Sequence, residues 1–257
     1  KKYFMNKKEV LIFGASSGLG KEIAKIFLKK GHRVTGLAST KKKSKELFEE
    51  INSESFKSSY CDLKKETDIN RIKNILRKKN KDIELLVFSS STLTVSKFSN
   101  MPDSIFENDL KINALSFINI FKFFMKLKKN KNINAIVILS NLSIIGIKNF
   151  SSYSISKSIL QSFCESIMSE LKDSHIMAVF PGPMATDFDK KAKVFNKSIN
   201  YKLQRKKQSP KVVAEKIFES YLKKKKFLYL NVSTKLLMFL KAISPNLLIS
   251  LINRIYK

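Results

Sequence analysis

Short apolar runs alternate with longer amphipathic stretches along this chain, and this alternation restricts the fold more than any other feature. The runs that we predict to be strands are 9–13, 33–37, 56–61, 84–89, 133–140, 175–180 and 227–230. The stretches that we predict to be helices are 18–30, 42–52, 65–79, 103–128, 152–172 and 210–225. Strands that alternate with helices of this length form βαβ units around a parallel sheet. We therefore expect an α/β fold with a doubly wound parallel sheet of about seven strands and helices on both faces.

The C-terminal part follows a different pattern from the rest of the chain. No Pro-, Gly- or Ser-rich linker divides the 257 residues, so we predict one α/β domain over 1–230 and a helical extension over 231–257. One apolar stripe at helical spacing runs through Leu247, Leu248, Leu251, Ile252 and Ile255. Polar residues and a proline interrupt the apolar stretch, which argues against a transmembrane span. The two short helices lie either on an anionic membrane surface or against a pocket or face of the domain.

The charge and the scarce residue types narrow the class of protein. Fifty basic residues against 21 acidic ones give a net charge of +29, which favours anionic partners. Only five of the fifty are arginine, and the lysines are spread over almost every segment, so we expect no specific nucleic-acid partner. Two histidines and two cysteines argue against a metal site or a disulfide scaffold. The apolar run 10–13 is too short for a signal peptide, so we expect a cytoplasmic protein with reduced thiols.

The first predicted strand runs directly into a turn rich in small residues and then into a helix. The turn contains Gly14, Ser16, Ser17, Gly18, Leu19 and Gly20. Small residues let the backbone turn sharply, and the N-terminus of the following helix aims free N–H groups at a pyrophosphate. A glycine-rich turn in this strand–turn–helix context predicts a Rossmann-like dinucleotide site.

The segment after the second predicted strand distinguishes NAD from NADP. An NAD site usually has an acidic residue there, which binds the ribose 2′-hydroxyl. This chain instead has Ser39, Thr40 and Lys41. Hydroxyl and ammonium groups suit a 2′-phosphate, which a carboxylate would repel, so the segment predicts NADP(H).

A tyrosine and a lysine four residues apart, Tyr153 and Lys157, fall on one helix face. An ammonium group beside a phenol lowers the pKa of the phenol and makes it a usable general acid or base. The same spacing occurs at Tyr3/Lys7, Tyr60/Lys64 and Tyr221/Lys225. We favour Tyr153 because it opens a long predicted helix and follows a buried strand that ends at Ser140.

The sequence resembles the short-chain dehydrogenase/reductase family, and the resemblance extends along nearly the whole chain, to about residue 225. The shared motifs are Gly14-Ala-Ser-Ser-Gly18-Leu-Gly20, Cys61-Asp62-Leu63, Lys111-Ile-Asn113-Ala, Ser140, Tyr153-x-x-x-Lys157 and Pro181-Gly182-Pro-Met-Ala-Thr186. Each motif is weak alone, but their common order is specific. The resemblance implies a homodimer or homotetramer.

The resemblance also implies the role of each matched residue. Tyr153 would donate a proton to the substrate oxygen, and Ser140 would hydrogen-bond that oxygen. Lys157 would hold the nicotinamide ribose and lower the pKa of Tyr153, and Asn113 would hold a water that links Lys157 to solvent. Further cofactor contacts would come from Asp62 and Leu63 at the adenine, Ser89 on the adenosine side, Pro181 and Gly182 beneath the nicotinamide, and Thr186 at its carboxamide.

Two departures from the family pattern affect the expected site. Ser89-Ser90-Ser91-Thr92 stands where the family usually has Asn-Asn-Ala-Gly, and Phe13 replaces the usual Thr before Gly14. We expect the first departure to alter cofactor affinity without removing the site. The function that the sequence predicts is NADPH-dependent reduction of an apolar ketone or aldehyde to an alcohol. The alternatives are 3-oxoacyl-carrier-protein reduction and a non-catalytic basic protein that binds membrane or nucleic acid.

Overall fold

A parallel seven-stranded sheet forms the centre of the protein, in a computed structural model that describes residues 8–195 and 207–255. The strand order is β3-β2-β1-β4-β6-β7-β9. These strands are β1 (Glu9–Phe13), β2 (Arg33–Ala38), β3 (Phe56–Tyr60), β4 (Ile83–Phe88), β6 (Asn134–Ile138), β7 (His175–Phe180) and β9 (Phe227–Tyr229). A separate two-stranded pair joins β5 (Thr94–Val95) to β8 (Lys193–Val194). The prediction of a doubly wound parallel sheet of seven strands is confirmed.

Helices cover both faces of the sheet, as the alternating pattern predicts. They are α1 (Gly18–Lys29), α2 (Lys41–Ile51), α3 (Glu66–Lys78), α4 (Asp103–Leu110), α5 (Ser116–Leu127), α6 (Ser151–Glu170) and α7 (Pro210–Leu222). The first core cluster packs α3, α5 and α6 on one face. The second packs α1, α2 and α7 on the other. Phe117, Ile120, Phe121 and Phe124, the apolar stripe of α5, are fully buried in the first cluster.

An aromatic cluster under the first turn explains the phenylalanine before Gly14. Phe13 is 1% exposed, and its ring meets Phe88 and Phe117 edge to face at 6.1 and 6.0 Å. Phe88 and Phe117 stack at 4.5 Å. The large ring therefore anchors β1 to β4 and α5 from inside the core.

The sheet reverses its strand order next to β1, which pairs with β2 on one side and β4 on the other. In doubly wound sheets, ligands bind at the carboxyl ends of the strands at such a point. Here those ends are Phe13, which leads into the glycine turn, and Phe88, which leads into the serine segment. The topology thus brings two predicted site segments side by side.

Two elements differ from the sequence prediction. The predicted helix 103–128 is divided into α4 and α5 by a single π turn, Lys111–Leu115. The predicted strand 133–140 ends at Ile138, and a 3₁₀ turn at Asn141–Ser143 follows. Asn113 and Ser140 both lie at these irregular points, where local backbone geometry is often set by function.

The C-terminal extension forms two helices, α8 (Val232–Ile243) and α9 (Pro245–Ile255). Leu248 and Ile252 are buried, whereas Leu247 and Leu251 are exposed, so the predicted stripe divides between an inner and an outer face. The side chain of Ile255 lies outside the described residues. Within the described ranges, no helix has the length and apolarity that crossing a membrane requires. The division of the chain at residue 230 stays a prediction.

Candidate active site

The turn between β1 and α1 leaves no room for side chains on its glycines. Gly14 has a left-handed backbone, with φ +80°, and a Cβ there would lie 2.7 Å from the Ser90 nitrogen. A Cβ on Gly20 would overlap the Gly14 carbonyl oxygen. Ser17 precedes α1 but its side chain does not cap the helix, so that side chain satisfies none of the first-turn N–H groups. The turn therefore has the close backbone approach and the helix terminus that a pyrophosphate needs.

A single cavity of about 1320 Å³ connects this turn with the tyrosine and lysine at the start of α6. Its lining includes most residues of the predicted cofactor site, namely Gly14, Ser16, Ser17, Gly18, Leu19, Ser39, Thr40, Asp62, Leu63, Ser89, Tyr153, Lys157, Pro181, Gly182 and Thr186. Gly20 and Lys41 do not line it. Gly20 instead allows α1 to pack on Gly14 and Ser89.

The segment after β2 carries hydroxyl and ammonium groups at the edge of the cavity. Thr40 caps α2, since its Oγ1 accepts from the Lys43 N–H at 3.3 Å. The Lys41 ammonium lies over the Tyr60 ring, 5.5 Å from its centroid, whereas Lys43 lines the cavity together with Ser39. Lys41, which the sequence predicts as a cofactor contact, thus lies against β3, and Lys43 lies on the cavity side of α2.

Tyr153 is 9% exposed, lies in the first turn of α6 and lines the cavity. Burial raises the pKa of its phenol to about 12, and the Ser140 and Ser91 side chains act against that rise. Ser140 Oγ also accepts from the Leu142 N–H at 3.2 Å, which fixes the hydroxyl at the end of β6. Sequence reasoning predicted Ser140 beside Tyr153 but did not assign Ser91 to the phenol.

Lys157 lies one turn further along α6 and is 2% exposed. Its Nζ donates to the Ile138 carbonyl oxygen at 2.9 Å and lies 5.7 Å from the Tyr153 ring centroid. Burial lowers the pKa of Lys157 to about 7. The expected lowering of the Tyr153 pKa is not found in this structure, because burial favours the uncharged form of both groups.

The amide of Asn113 is held by the segment that departs from the family pattern. Its Oδ1 accepts from the Thr92 N–H at 2.7 Å and from Ser91 Oγ at 3.2 Å. Its Nδ2 donates to the Thr92 carbonyl oxygen at 3.0 Å and to Ser156 Oγ at 3.1 Å. Asn113 therefore connects the end of β4 to α6, one residue before Lys157.

The segment after β7 lies against Asn231 and Gln208, two residues that the sequence did not predict as part of the site. A Cβ on Gly182 would overlap the side-chain amide of Asn231, and Asn231 Oδ1 accepts a hydrogen bond from Gln208 Nε2 at 2.5 Å. Thr186 lies opposite Gly18, and its methyl group would be 3.3 Å from a Cβ there. No local motif marks Asn231 or Gln208, because their partner is brought close only by the fold.

The inner face of the C-terminal helices packs into an apolar cluster that includes Tyr153. Leu248 and Ile252 belong to one buried cluster with Leu93, Val95, Ile147, Phe150 and Tyr153. The Phe188 ring also packs near the phenol, at 5.9 Å between centroids. Thr234 Oγ1 donates to Asn141 Oδ1 at 2.8 Å, which ties α8 to the turn that carries Ser140.

The other tyrosine–lysine pairs do not share this environment. Tyr60 ends β3 and stacks against Arg71, whose guanidinium carbon lies 4.1 Å from the ring centroid. Tyr221 lies near the end of α7, in the second core cluster with His175 stacked on it. Tyr3 and Lys7 lie outside the described residues. Of the pairs that the structure describes, Tyr153/Lys157 is the one with both members in the cavity lining; Lys64 lines the cavity, but Tyr60 does not.

Residues 8–196 match the family model of short chain dehydrogenases. The chain therefore belongs to the short-chain dehydrogenase family.

Three curated relatives are similar to this chain over most of its length. A dehydrogenase/reductase SDR family protein 7-like from Dictyostelium discoideum is 30% identical over 191 residues, covering 70% of this chain and 60% of the relative. Human epidermal retinol dehydrogenase 2 is 25% identical, covering 92% of this chain and 78% of the relative. The 3-oxoacyl-[acyl-carrier-protein] reductase of Buchnera aphidicola from Acyrthosiphon pisum is 29% identical, covering 73% and 78%.

The same fold occurs in solved structures. A short-chain dehydrogenase from Sphingobium yanoikuyae in complex with NADPH superimposes with a TM-score of 0.79 at 18% identity, covering 93% of this chain and 95% of that chain. At this identity the likeness concerns the fold alone.

Proposed function

We propose that this protein is an NADPH-dependent oxidoreductase that reduces an apolar ketone or aldehyde to an alcohol. The observation that carries the proposal is the position of Tyr153. Tyr153 and Ser140 line the same cavity as the glycine turn, and the Ser140 side chain acts to lower the pKa of the Tyr153 phenol against the effect of burial. A proton donor at one end and a phosphate cradle at the other are what carbonyl reduction by a dinucleotide requires.

The residues of the cavity fit a dinucleotide in shape and in charge. Backbone atoms would collide with any side chain at Gly14 or Gly20, so the turn is built for close approach. Lys43, Ser39 and Thr40 lie where a 2′-phosphate would bind, with no carboxylate at the end of β2 to repel it. NADPH bound there would supply the hydride that the carbonyl carbon accepts.

The chain's own groups would supply the proton. Tyr153 Oη donates it to the substrate oxygen, and the Ser140 hydroxyl holds that oxygen and the phenol in line. Lys157, with a pKa of about 7, can carry a proton at neutral pH and favours the phenolate when it does. The apolar side chains of Ile147, Phe150 and Phe188 line the cavity near Tyr153, so they would exclude water and accept an apolar substituent of the carbonyl.

Removing the phenol hydroxyl tests this function. We expect Tyr153→Phe to slow NADPH-dependent carbonyl reduction by about 100-fold or more, because the general acid is lost without a change of shape. Its affinity for NADPH should remain near that of the wild type. Tyr60→Phe and Tyr221→Phe are the matched controls and should keep most of the activity. Retained activity in Tyr153→Phe, with loss in a control, would reject the placement.

A panel of candidate substrates would distinguish this function from 3-oxoacyl thioester reduction. The Buchnera relative supports 3-oxoacyl thioester reduction as a second candidate, and lysines at the cavity edge, such as Lys193 and Lys211, suit an acidic carrier. Purified protein should therefore be tested for NADPH oxidation with apolar ketones, aldehydes and 3-oxoacyl thioesters. A preference for the thioesters would favour the second candidate. Failure of every substrate would favour the non-catalytic binding protein.

We further propose that the outer face of α8 and α9 rests on an anionic membrane surface. Val232, Leu236, Phe239 and Ile243 recur on one side of α8 and are between 54% and 84% exposed, which is more apolar surface than a helix normally leaves in water. Exposed Lys235 and Arg254 lie on the same two helices, and each basic group near anionic lipid contributes about 1 kcal/mol. Lys241, also on α8, donates to the Ile144 carbonyl oxygen, so its ammonium group is turned towards the domain.

Assembly into a homodimer or homotetramer also remains a proposal. Leu115 and Ile155 support it, since they expose apolar side chains on the π turn and α6 at 44% and 39%. A monomer mass at micromolar concentration in analytical ultracentrifugation would reject it. The cytoplasmic location stays a prediction.

A further inference from the structure

Asp109 is a buried acidic residue that the proposed chemistry does not use. It lies near the end of α4 and is 1% exposed. Two hydroxyl groups hold its carboxylate: Oδ1 accepts from Thr92 Oγ1 at 2.9 Å, and Oδ2 accepts from Ser152 Oγ at 2.7 Å. Because a carboxylate loses its hydration on burial, these two hydrogen bonds replace water at Asp109.

The two hydroxyls come from two different segments of the candidate site. Thr92 ends the serine segment after β4 and lines the cavity. Ser152 is fully buried in the first turn of α6 and directly precedes Tyr153. The Asp109 carboxylate therefore joins the cavity wall to the backbone that carries the phenol.

These contacts belong to a ring of hydrogen bonds around the backbone of Tyr153. The Thr92 hydroxyl has one hydrogen, and its oxygen lies 2.9 Å from Asp109 Oδ1 but 3.3 Å from Asn113 Oδ1, so the carboxylate is the favoured acceptor. The Thr92 N–H donates to Asn113 Oδ1 at 2.7 Å, and Asn113 Nδ2 donates to Ser156 Oγ at 3.1 Å. Ser156 Oγ in turn donates to the Tyr153 carbonyl oxygen at 2.8 Å. Hydrogen bonds thus hold the backbone on both sides of the phenol.

We propose that Asp109 is a positioning residue for Tyr153, whose carboxylate fixes the first turn of α6 relative to the segment after β4. The two carboxylate oxygens form a rigid fork, so both hydroxyls must meet one group. A displacement of either segment by about 0.5 Å would lengthen a bond beyond the normal range for O–H···O contacts. Asp109 acts through Ser152 and Thr92 and not on the reacting atoms. The inference rests on the proposed role of Tyr153 as proton donor.

The first measurement needs no substrate. Hydrogen–deuterium exchange of the full chain, followed by mass spectrometry, compares the wild type with Asp109→Asn. An amide has one acceptor oxygen, so it can accept from only one of the two hydroxyls. Loss of a hydrogen bond to a charged group should speed exchange about tenfold in the first two turns of α6, while α3 and α7 keep the wild-type rates. A residue that only stabilises the whole domain would speed exchange in all three helices.

Turnover gives the second measurement. We expect Asp109→Asn to lower kcat for NADPH-dependent carbonyl reduction about tenfold, because a small misplacement of a catalytic group slows the reaction. The dissociation constant for NADPH should stay unchanged, since Asp109 does not line the cavity. The matched control is Asp103→Asn, which makes the same change at an exposed position of α4 and should alter neither measurement.

A milder variant tests the bridge if Asp109→Asn does not fold. Ser152→Ala removes one donor hydroxyl and should speed exchange in the same two turns of α6. Ser154→Ala is its control, because Ser154 is also buried in the first turn of α6 and its Oγ has no hydrogen-bond partner in the described part of the chain. Wild-type exchange in Asp109→Asn, or equal effects of Ser152→Ala and Ser154→Ala, overturns the inference.

The two measurements distinguish this inference from the proposed function. Faster exchange confined to α6, without turnover of any substrate by the wild type, rejects the proposed function and retains Asp109 as the bridge that holds the Tyr153 backbone. Turnover that depends on Tyr153 but is unchanged in Asp109→Asn rejects the positioning role and retains the proposed function.

Discussion

The buried lysine of the site makes the stability of the protein depend on pH in a defined direction. Lys157 is 2% exposed, and burial lowers its pKa from 10.5 to about 7. Between these two values the unfolded chain binds a proton that the folded protein has released. The free energy of unfolding therefore rises with pH across this window, by about 1.4 kcal/mol per pH unit from this residue.

The variant Lys157→Met isolates that contribution. Other groups titrate in both proteins, including buried Cys61 and Cys164, whose pKa values are raised by burial, and their effects cancel in the difference. From pH 7.5 to 9 the wild type should gain about 2 kcal/mol relative to Lys157→Met. Urea denaturation at pH steps across this range measures the difference, with a constant m-value as the check on two-state unfolding.

An exposed lysine provides the matched control. The Lys45 side chain is 81% exposed, so it keeps its hydration on folding, and Lys45→Met should run parallel to the wild type. Parallel lines for Lys157→Met as well would show that Lys157 stays charged throughout the window. The assignment of a proton-carrying role near neutral pH to Lys157 would then be refuted.

Two further predictions concern the preference between NADPH and NADH and the binding of the C-terminal helices to membranes. NADPH should bind more tightly than NADH in fluorescence titrations, and Ser39→Asp should move the preference towards NADH because a carboxylate repels the 2′-phosphate; equal affinities in the wild type would contradict this. The full chain should co-sediment with anionic liposomes at low salt and dissociate at high salt, whereas a chain truncated after Ser233 should not; two supernatants at low salt would reject the membrane proposal.

The sequence predicted the helices and strands closely because the spacing of apolar residues differs between the two kinds of element. Strands such as β1 and β7 are continuous apolar runs bounded by turns, and α1 and α3 bury one stripe of their surface. The π turn at Lys111–Leu115 escaped prediction because one extra residue per turn leaves the apolar spacing almost unchanged. The β5–β8 pair escaped it because each strand has two residues.

The candidate site was predictable where a motif carries its own geometry. Tyr153 and Lys157 share a helix face, so their spacing alone brings them together. Contacts across the fold were not predictable in this way. The sequence predicts Lys41 as a cofactor contact but cannot show which lysine of the segment lines the cavity, because the rotation of α2 is set by its core residue Leu47 and not by the charges.

The C-terminal helices can contact a membrane and pack against the domain at the same time, because the apolar stripe divides between two faces. Leu247 and Leu248 are neighbours in sequence, yet one is 51% exposed and the other 2% exposed beside the Tyr153 cluster. Truncation removes both faces at once, so single substitutions distinguish them better. Leu247→Ser should weaken liposome binding and leave activity unchanged, because it alters only the outer face. Leu248→Ser should lower stability and carbonyl reduction without lipid, because it leaves a cavity and a polar group in the buried cluster that includes Phe150 and Tyr153. Equal effects of the two substitutions on liposome binding would contradict a membrane contact through the outer face.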